Sequence, residues 1–408
     1  MKILYVQDTN WISQNPIQHT HLAERLVLRR HEVRVIDHEV RWKTAGKKEV
    51  FSKRQVFQVA RLHEGASVTV VRPPIMKIPV FDYASMVITY WREINRQIRE
   101  FKPDILIGDC ILTTYLGYRA ARKHGIPTVY YVLDINHRLI PFKFLQSLGK
   151  LIESRNIGSA DLVLAINKGL RGYTIQMGAE PGKAAVLTAG TDTKRFSQGA
   201  DSRKIRKQYG INQDDLLLFF VGWIHHFNGL KEVAVEIARQ GRPNIKLLVV
   251  GDGDGFNELQ EVREKYGLHE RFILAGRKPY EEIPQLLSAA DICLLPAYPD
   301  EPIMQNIVPI KMYDYLAAGK PIIATKLPGI MKEFGEDSGI VYVDKPEDTV
   351  ETALELAANN QIDEIGARAT RFAEQHSWEK ITDEFEAILK QLIESKTRNN
   401  KNTTNERG

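Results

Sequence analysis

The chain has 408 residues, 43% hydrophobic and 26% charged, which is the composition of an ordinary soluble globular protein long enough for two domains with their own cores. Its net charge of +5 is too small to argue for a nucleic-acid partner, and Cys110 and Cys293, the only cysteines, lack CxxC spacing and exclude a disulfide-rich class. The opening run Ile3-Leu4-Tyr5-Val6 is too short for a signal-peptide core and Leu216–Ile224 too short for a membrane span, so the expectation is a cytoplasmic protein, at most peripheral on the inner face of the membrane.

Strand-sized apolar runs recur at Lys2–Val6, Glu32–Ile36, Ser67–Val71, Asp104–Ile107, Thr128–Val132 and Asp161–Ile166, with helix-patterned segments between them. They are continuous rather than alternating, which puts them in a parallel sheet covered by helices on both faces. Early in this half, Arg41, Lys43, Lys47, Lys48, Lys53, Arg54 and Arg61 form a basic stretch with two readings, a solvated loop or a docking face for an anionic membrane surface. Phe81–Phe101 carries Tyr83, Val87, Tyr90, Trp91, Ile94 and Ile98 at helical spacing, either the core side of a helix or a second part of that docking face.

Apolar periodicity lapses over Gly190–Asp201, where turn-forming residues collect, and a second set of strands follows: Leu216–Val221, Ile245–Val250, Phe272–Ala275, Ile292–Leu295, Pro321–Ala324 and Ile340–Val343. The expected architecture is α/β, two doubly wound Rossmann-like domains facing across a cleft, with boundaries at 1–190 and 191–375. Three of the second-half strands run directly into glycine turns, at Gly222, Gly251-Asp252-Gly253 and Gly276. Glycine permits positive φ and close backbone approach, and three such turns at one sheet edge suit a nucleotide diphosphate. Asp252-Gly253-Asp254 has the outline of a metal-holding Asp-x-Asp pair, but its place just after a strand suits a nucleotide-contacting turn, and no metal is expected.

The segment Asn306–Thr325, NIVPIKMYDYLAAGKPIIAT, reads as a short helix feeding a buried strand. Pro309 suits a first helical turn, Gly319 a left-handed helix end, and Pro321 stops continuation. Lys311 and Asp314 lie three apart on one face, and a cation in the first turn opposes the helix dipole by roughly 0.3–1 kcal/mol. Lys311 is therefore either an anion ligand or a solvated surface lysine. A final helix from Trp378 to Ile393 carries Trp378, Ile381, Phe385, Ile388, Leu389 and Leu392 in one stripe, which either caps the second domain or returns across the first. The polar residues 396–408 read as a disordered tail.

The stretches VVGDGDGFNELQEVREKYGLHERFILAGR, IPQLLSAADICLLPAY and PIKMYDYLAAGKPIIAT resemble the nucleotide-sugar domain of the family-4 retaining glycosyltransferases of GT-B fold. HEVRVI, KPDILIGDC, ARKHGIPTVYYVLD and KLIESRNIGSADLVLAINKGL are similar to the first domain of that family, and ARATRFAEQHSWEKITDEFEAIL to its returning C-terminal helix, here residues 376–395. The resemblance implies transfer of a sugar, with retention and without a required metal or other cofactor, from a nucleotide-diphosphate co-substrate to a glycan or lipid-linked acceptor. It implies donor contacts at Gly222, Trp223, Gly251, Asp252, Gly253, Gly276, Arg277, Asn306, Ile307, Val308 and Asp314.

Departures reshape the expected site. Asn306 and Asp314 stand where the family has two glutamates, and Trp223 and Asn228 where it has an arginine and a lysine that neutralise the departing diphosphate. Lys311 becomes the expected catalytic cation, with Lys231, His225 and His226 behind it. Leu133 replaces a histidine near the active carbon, leaving Asp134 to orient a substrate or to cap the following segment. Gln18 and His19 are expected on the acceptor side, although Asn15-Pro16 stand where the family has a double glycine. The rival readings are a catalytically silent nucleotide-sugar-binding subunit and a sugar-nucleotide epimerase of the same architecture. A Rossmann oxidoreductase is disfavoured because Gln7-Asp8-Thr9 follows the first strand with no GxGxxG.

Overall fold

The structure is a computed structural model that describes all residues except 14–15, 40–49, 79–80, 141, 198–200, 306–307 and 406–408, with backbone alone over 399–405. The chain forms two units, Met1–Thr188 with Trp378–Gly408 and Ala189–Ser377, against expected boundaries at 190/191 and 375/376.

The first unit runs β1 (Lys2–Val6), α1 (Gln18–Leu28), β2 (Glu32–Ile36), β3 (Gln55–Val59), β4 (Val68–Arg72), α2 (Phe81–Glu100), β5 (Ile105–Gly108), α3 (Leu112–Lys123), β6 (Thr128–Val132), α4 (Lys143–Ser159), β7 (Leu162–Ala165), α5 (Lys168–Gln176) and β8 (Ala184–Val186). Its sheet has the order β3-β4-β2-β1-β5-β6-β7-β8. All pairs are parallel except β3 with β4. The order reverses at β1, so the carboxyl ends of β1 and β5 flank the crevice where such sheets take ligands.

Strands β3 and β8 were not expected. β3, QVFQV, is an edge strand with exposed and half-buried residues, and β8 has three residues. Neither offers the continuous apolar run that marks the buried strands. β3 also crosses the basic stretch: Arg54 is bidentate to Glu93 at 2.8 and 2.9 Å, and Arg61 donates to the Trp11 carbonyl at 2.8 Å. Arg41, Lys43, Lys47 and Lys48 lie outside the described residues. On α2 the predicted stripe is core, with Tyr90, Ile94 and Ile98 buried and the Tyr90 hydroxyl donating to the Gln7 carbonyl at 3.1 Å. Tyr83 points out instead.

The second unit runs α6 (Thr193–Ser197), α7 (Ser202–Gln208), β9 (Leu216–Val221), α8 (Leu230–Gln240), β10 (Ile245–Val250), α9 (Phe256–Lys265), β11 (Phe272–Gly276), α10 (Ile283–Ser288), β12 (Ile292–Leu295), α11 (Lys311–Ala317), β13 (Ile322–Thr325), α12 (Pro328–Phe334), β14 (Ile340–Val343), α13 (Asp348–Ala358) and α14 (Ile362–Gln375). The sheet order is β11-β10-β9-β12-β13-β14, all parallel. Its reversal falls between β9 and β12.

The last helix, α15 (Trp378–Asn405), returns to the first unit. Trp378, Ile381, Phe385 and Leu389 join Ile3, Tyr5, Leu22, Ile107 and Tyr131 in one core, and Trp378 stacks on His21 at 4.3 Å. Arg29 reaches Asp383 at 2.7 Å and Glu386 at 3.0 Å, and Lys396 reaches Asp161 at 2.5 Å. The helix continues past Lys396, where the composition reads as a disordered tail, because a formed helix extends at one hydrogen bond per residue fixed. Phe385 is fully buried on the sheet. Phe385→Ala is expected to cost about 3–5 kcal/mol, read as a lowered denaturation midpoint with the far-UV spectrum retained.

Candidate functional site

Strand β9 is apolar throughout and ends at Gly222, whose φ of 140° is a conformation L side chains avoid. The three glycine turns are stitched to each other by their backbones. Gly222 N donates to the Val250 carbonyl at 3.0 Å, Gly251 N to that of Gly276 at 2.9 Å, Ile224 N to that of Asp252 at 3.0 Å, and Gly255 N to that of Ile224 at 2.9 Å. A Cβ on Gly251 would stand 1.9 Å from the Gly222 oxygen, and one on Gly253 2.2 Å from that of Ile224. The turns therefore form one layered edge of backbone.

Lys311 opens α11 after a turn in which Met312 N donates to the Pro309 carbonyl at 3.0 Å, so Pro309 precedes the helix rather than lying within its first turn. Gly319 ends it with φ 67°, as the sequence predicts. The Lys311 ammonium lies 3.6 Å from the centre of the Phe220 ring, and a Cβ on Gly222 would be 3.1 Å from Nζ. By area the side chain is only half-buried. Its charged end is nevertheless withdrawn from water, and that desolvation lowers its pKa to about 7. Among the described residues no carboxylate pairs with it, and its charge faces the Phe220 ring. One helical turn on, Tyr315 Oη accepts from Val221 N at 2.9 Å, locking α11 to the end of β9.

Asp314 is buried and accepts a hydrogen bond from Thr191 Oγ1 at 2.9 Å. Burial raises its pKa to about 7, opposed by the Thr191 hydrogen bond and the nearby Arg195. Asn306 and Ile307 lie outside the described residues; Val308 is half-buried and Arg277 exposed.

The lesser cations are committed elsewhere. His225 Nδ1 and Trp223 Nε1 both reach Asp254 Oδ1, at 3.0 and 2.8 Å, while His226 Nδ1 and Lys231 Nζ reach Glu258 at 3.2 and 2.6 Å. Trp223 is 61% exposed, so Asp254 holds an aromatic face out at the strand exit. Asn228 is buried and its Oδ1 accepts from His225 N at 2.5 Å, which makes it part of the turn. Asp252 accepts from the next amide, Gly253 N, at 2.8 Å. The sequence reading missed Phe220 and Asp254 as the residues that position Lys311 and Trp223. One of two adjacent phenylalanines near a strand end, and a carboxylate read against a metal motif, gave no stronger signal.

In the first unit Gln18 and His19 are buried rather than set on a surface an acceptor could reach. Gln18 Nε2 donates to Tyr131 Oη and to the Thr188 carbonyl at 2.9 Å. His19 sits between Tyr5 and Tyr131, its Nε2 3.1 Å from Asp109 Oδ2 but off a hydrogen-bonding axis. Burial raises the neighbouring Asp8 to about 6. Asp134 follows β6 and is exposed by area, although the chain crowding it still raises its pKa. The following 3-10 turn over Asn136–Leu139 has no side-chain cap, so the capping reading fails.

The sequence pattern described as glycosyl transferases group 1 matches residues 201–403, and that described as Glycosyltransferase Family 4 matches residues 19–195. An uncharacterized glycosyltransferase of Methanocaldococcus jannaschii is 22% identical over 278 residues, 66% of this chain and 67% of that protein. The D-inositol 3-phosphate glycosyltransferase of Corynebacterium urealyticum is 24% identical over 259 residues, 60% of this chain. The chain spans only 59% of the length of that second curated relative. Among solved structures, Anabaena Alr3699/HepE in complex with UDP has a TM-score of 0.74 at 18% identity, covering 96% of this chain and 100% of the other, a likeness of fold.

Two measurements check the site as built. Gly251→Ala is expected to destabilise the second unit by more than the ~1 kcal/mol of an ordinary substitution, because the added Cβ meets backbone that cannot yield; a calorimetric scan would read it. For Asp314 the folded pKa lies above the unfolded one, so its neutral form favours folding at low pH and that advantage is lost as pH rises through about 7. The melting-temperature advantage of Asp314→Asn over the parent is expected to grow from pH 5 to about 7 and to level off above it.

Proposed function

Because the chain belongs to family 4 of the glycosyltransferases, the group 1 transferases of GT-B fold, we propose that it moves a sugar from a UDP-sugar to an acceptor hydroxyl with retention of configuration, in glycan synthesis. The observation that carries this is Lys311: a desolvated ammonium, without a carboxylate partner among the described residues, held against a glycine turn at the switch point of a parallel sheet. A diphosphate placed there would restore the charge pairing that burial has removed, with no metal needed. The choice of UDP follows the fold relative from Anabaena, which has been solved with UDP and with UDP-glucose.

In the proposed reaction the bond between the anomeric carbon and the diphosphate oxygen breaks as the bond to the acceptor oxygen forms on the same face. The acceptor proton passes to the departing diphosphate, so no carboxylate base is required. Lys311 stabilises the charge that develops on the diphosphate, a role that can be worth roughly 3–4 kcal/mol of barrier. The exposed face of Trp223 covers the nucleotide sugar, the free oxygen of Asp314 accepts from ribose hydroxyls, and Asp134 orients a substrate hydroxyl in the first unit.

A second reading, a silent nucleotide-sugar-binding subunit, is favoured by one observation: the family's cation positions hold Trp223 and the buried, structural Asn228. Hydrolysis of UDP-glucose without acceptor separates the two, since a silent binder produces no glucose.

UDP at a hundredfold excess over its dissociation constant is expected to stabilise the folded protein by about 2.7 kcal/mol. Lys311→Met, which keeps the aliphatic stem on Phe220, is expected to weaken UDP at least tenfold and to lower kcat by roughly 10²–10³. Below pH 7 Lys311 carries its proton; above it, UDP must pull a proton onto the lysine, so affinity is expected to fall from pH 7 to 9 in the parent and to stay flat in Lys311→Met. Unchanged affinity in the variant would sink the assignment.

A further inference from the structure

We propose that the acceptor is a sugar bearing hydroxyls or an amine but no phosphate or carboxylate, and that Asp8 and Asp109 are the residues that select it. The inference rests on the transferase reading above and names the acceptor class which that reading leaves open. Asp8 follows β1 and Asp109 follows β5, the two strand ends that flank the crevice of the first unit. The Cys110 thiol lies between them: its sulfur accepts from Asp8 N at 3.4 Å, and its S–H donates to Asp109 Oδ1 at 3.1 Å. Neither carboxylate is a turn cap, since no amide of another described residue donates to it.

Neither is paired with a lysine or arginine among the described residues. Residues 7–11, 109–111 and 133–136, which follow β1, β5 and β6, contain no basic residue, and Asp134 adds a third carboxylate to the same sheet edge. The nearby arginines are spent: Arg72 is bidentate to Asp37 at 3.0 and 2.6 Å, and Arg61 donates to the Trp11 carbonyl. His19 backs Asp109 from inside the core, at 3.1 Å, and is one basic group against three acids. Burial raises Asp8 to about 6, against the Cys110 thiol and with the Asp109 charge, so at neutral pH it is ionised. The Asp109 side chain is 14% exposed and Asp8 is half-buried, which leaves both within reach of a ligand yet screened by little water.

A second observation shows what the edge wants. Tyr5 Oη, Gln7 Oε1 and Trp11 Nε1 belong to buried side chains and have no partner. Burial, and then the Asp109 charge, push up the pKa of the Tyr5 hydroxyl, which places it close to that carboxylate. Carboxylates and an amide oxygen accept and cannot donate, whereas a sugar hydroxyl does both and an ammonium donates three times. An ionised phosphate or carboxylate only accepts. It would leave Asp8, Asp109 and Gln7 Oε1 unmet and would set like charge against the two acids.

The test takes the full chain, with and without UDP, and four probes built on one ring: glucose, glucosamine, glucose 6-phosphate and glucuronic acid, with dissociation constants read by saturation-transfer NMR. Glucose and glucosamine are expected to bind, and the two anionic sugars to bind about tenfold more weakly than glucose or worse. In Asp8→Asn with Asp109→Asn that penalty is expected to fall to about threefold or less, while UDP raises the thermal midpoint as it does in the parent. Asparagine keeps the size of each side chain, and Asp8→Asn alone, which removes a half-buried charge with no cation beside it, carries the test if the double variant does not fold. Anionic sugars binding as tightly as glucose, a penalty unchanged in the variants, or no binding by any probe would each overturn the inference. Loss of UDP binding with the sugar order intact would instead sink the donor assignment and leave the sugar preference standing, so the two readings fail separately.

Discussion

The second unit is organised around an approach of backbone to backbone that side chains would forbid. The turn after β9 lies so close on the turn after β10 that a single methyl at Gly251 would overlap the Gly222 oxygen, and Ile224 closes the stack by exchanging hydrogen bonds with Asp252 and Gly255. Everything proposed for the donor side hangs from this edge. Because Gly222 has no side chain, the Lys311 ammonium can reach the Phe220 ring, and because Tyr315 Oη takes the Val221 amide, the short helix carrying Lys311 is fixed to the same strand. The lysine's lowered pKa is thus a property of packing and not of its local sequence.

That distinction explains what was legible beforehand. The buried parallel strands declare themselves as continuous Val/Ile/Leu runs, and their glycine exits are visible in the letters, so the two sheets and the Lys311 segment could be read directly. The edge strand β3 could not, since its residues are exposed or half-buried and only its antiparallel pairing with β4 places it in the sheet. Gln18 and His19 looked like loop residues near a ligand; what buries them is Tyr131 and the carbonyls of Leu187 and Thr188, more than a hundred residues away. Asn228 looked like a missing cation and is a turn-builder.

Polar burial is distributed unevenly between the units. In the first, unpartnered buried atoms gather near the carboxyl end of β1, among them Tyr5 Oη, Gln7 Oε1, Thr9 Oγ1 and His19 Nδ1. Polar groups left without partners cost free energy, and here they sit beside the β1/β5 switch point, where parallel sheets take their ligands. In the second unit the corresponding strand ends are satisfied by backbone, with the unusual group being a cation. The two edges therefore differ in kind: one is a set of unmet hydrogen bonds, the other an unmet charge.

The return of α15 has a consequence for how the protein is made. The second unit is an insertion: the first unit begins at residue 1, breaks off at Thr188, and resumes only at Trp378. Trp378, Ile381, Phe385 and Leu389 complete a core whose other members include Ile3, Tyr5 and Leu22. While the intervening residues emerge from the ribosome, the β1/α1 side of that core has no cover, and closing it requires contacts across more than 370 residues of chain, the kind of non-local step that slows folding. The second unit, contiguous from Ala189 to Ser377, can assemble first. The order of synthesis thus leaves the amino-terminal half the last to finish, and leaves its apolar floor open to chaperones and to aggregation for longest.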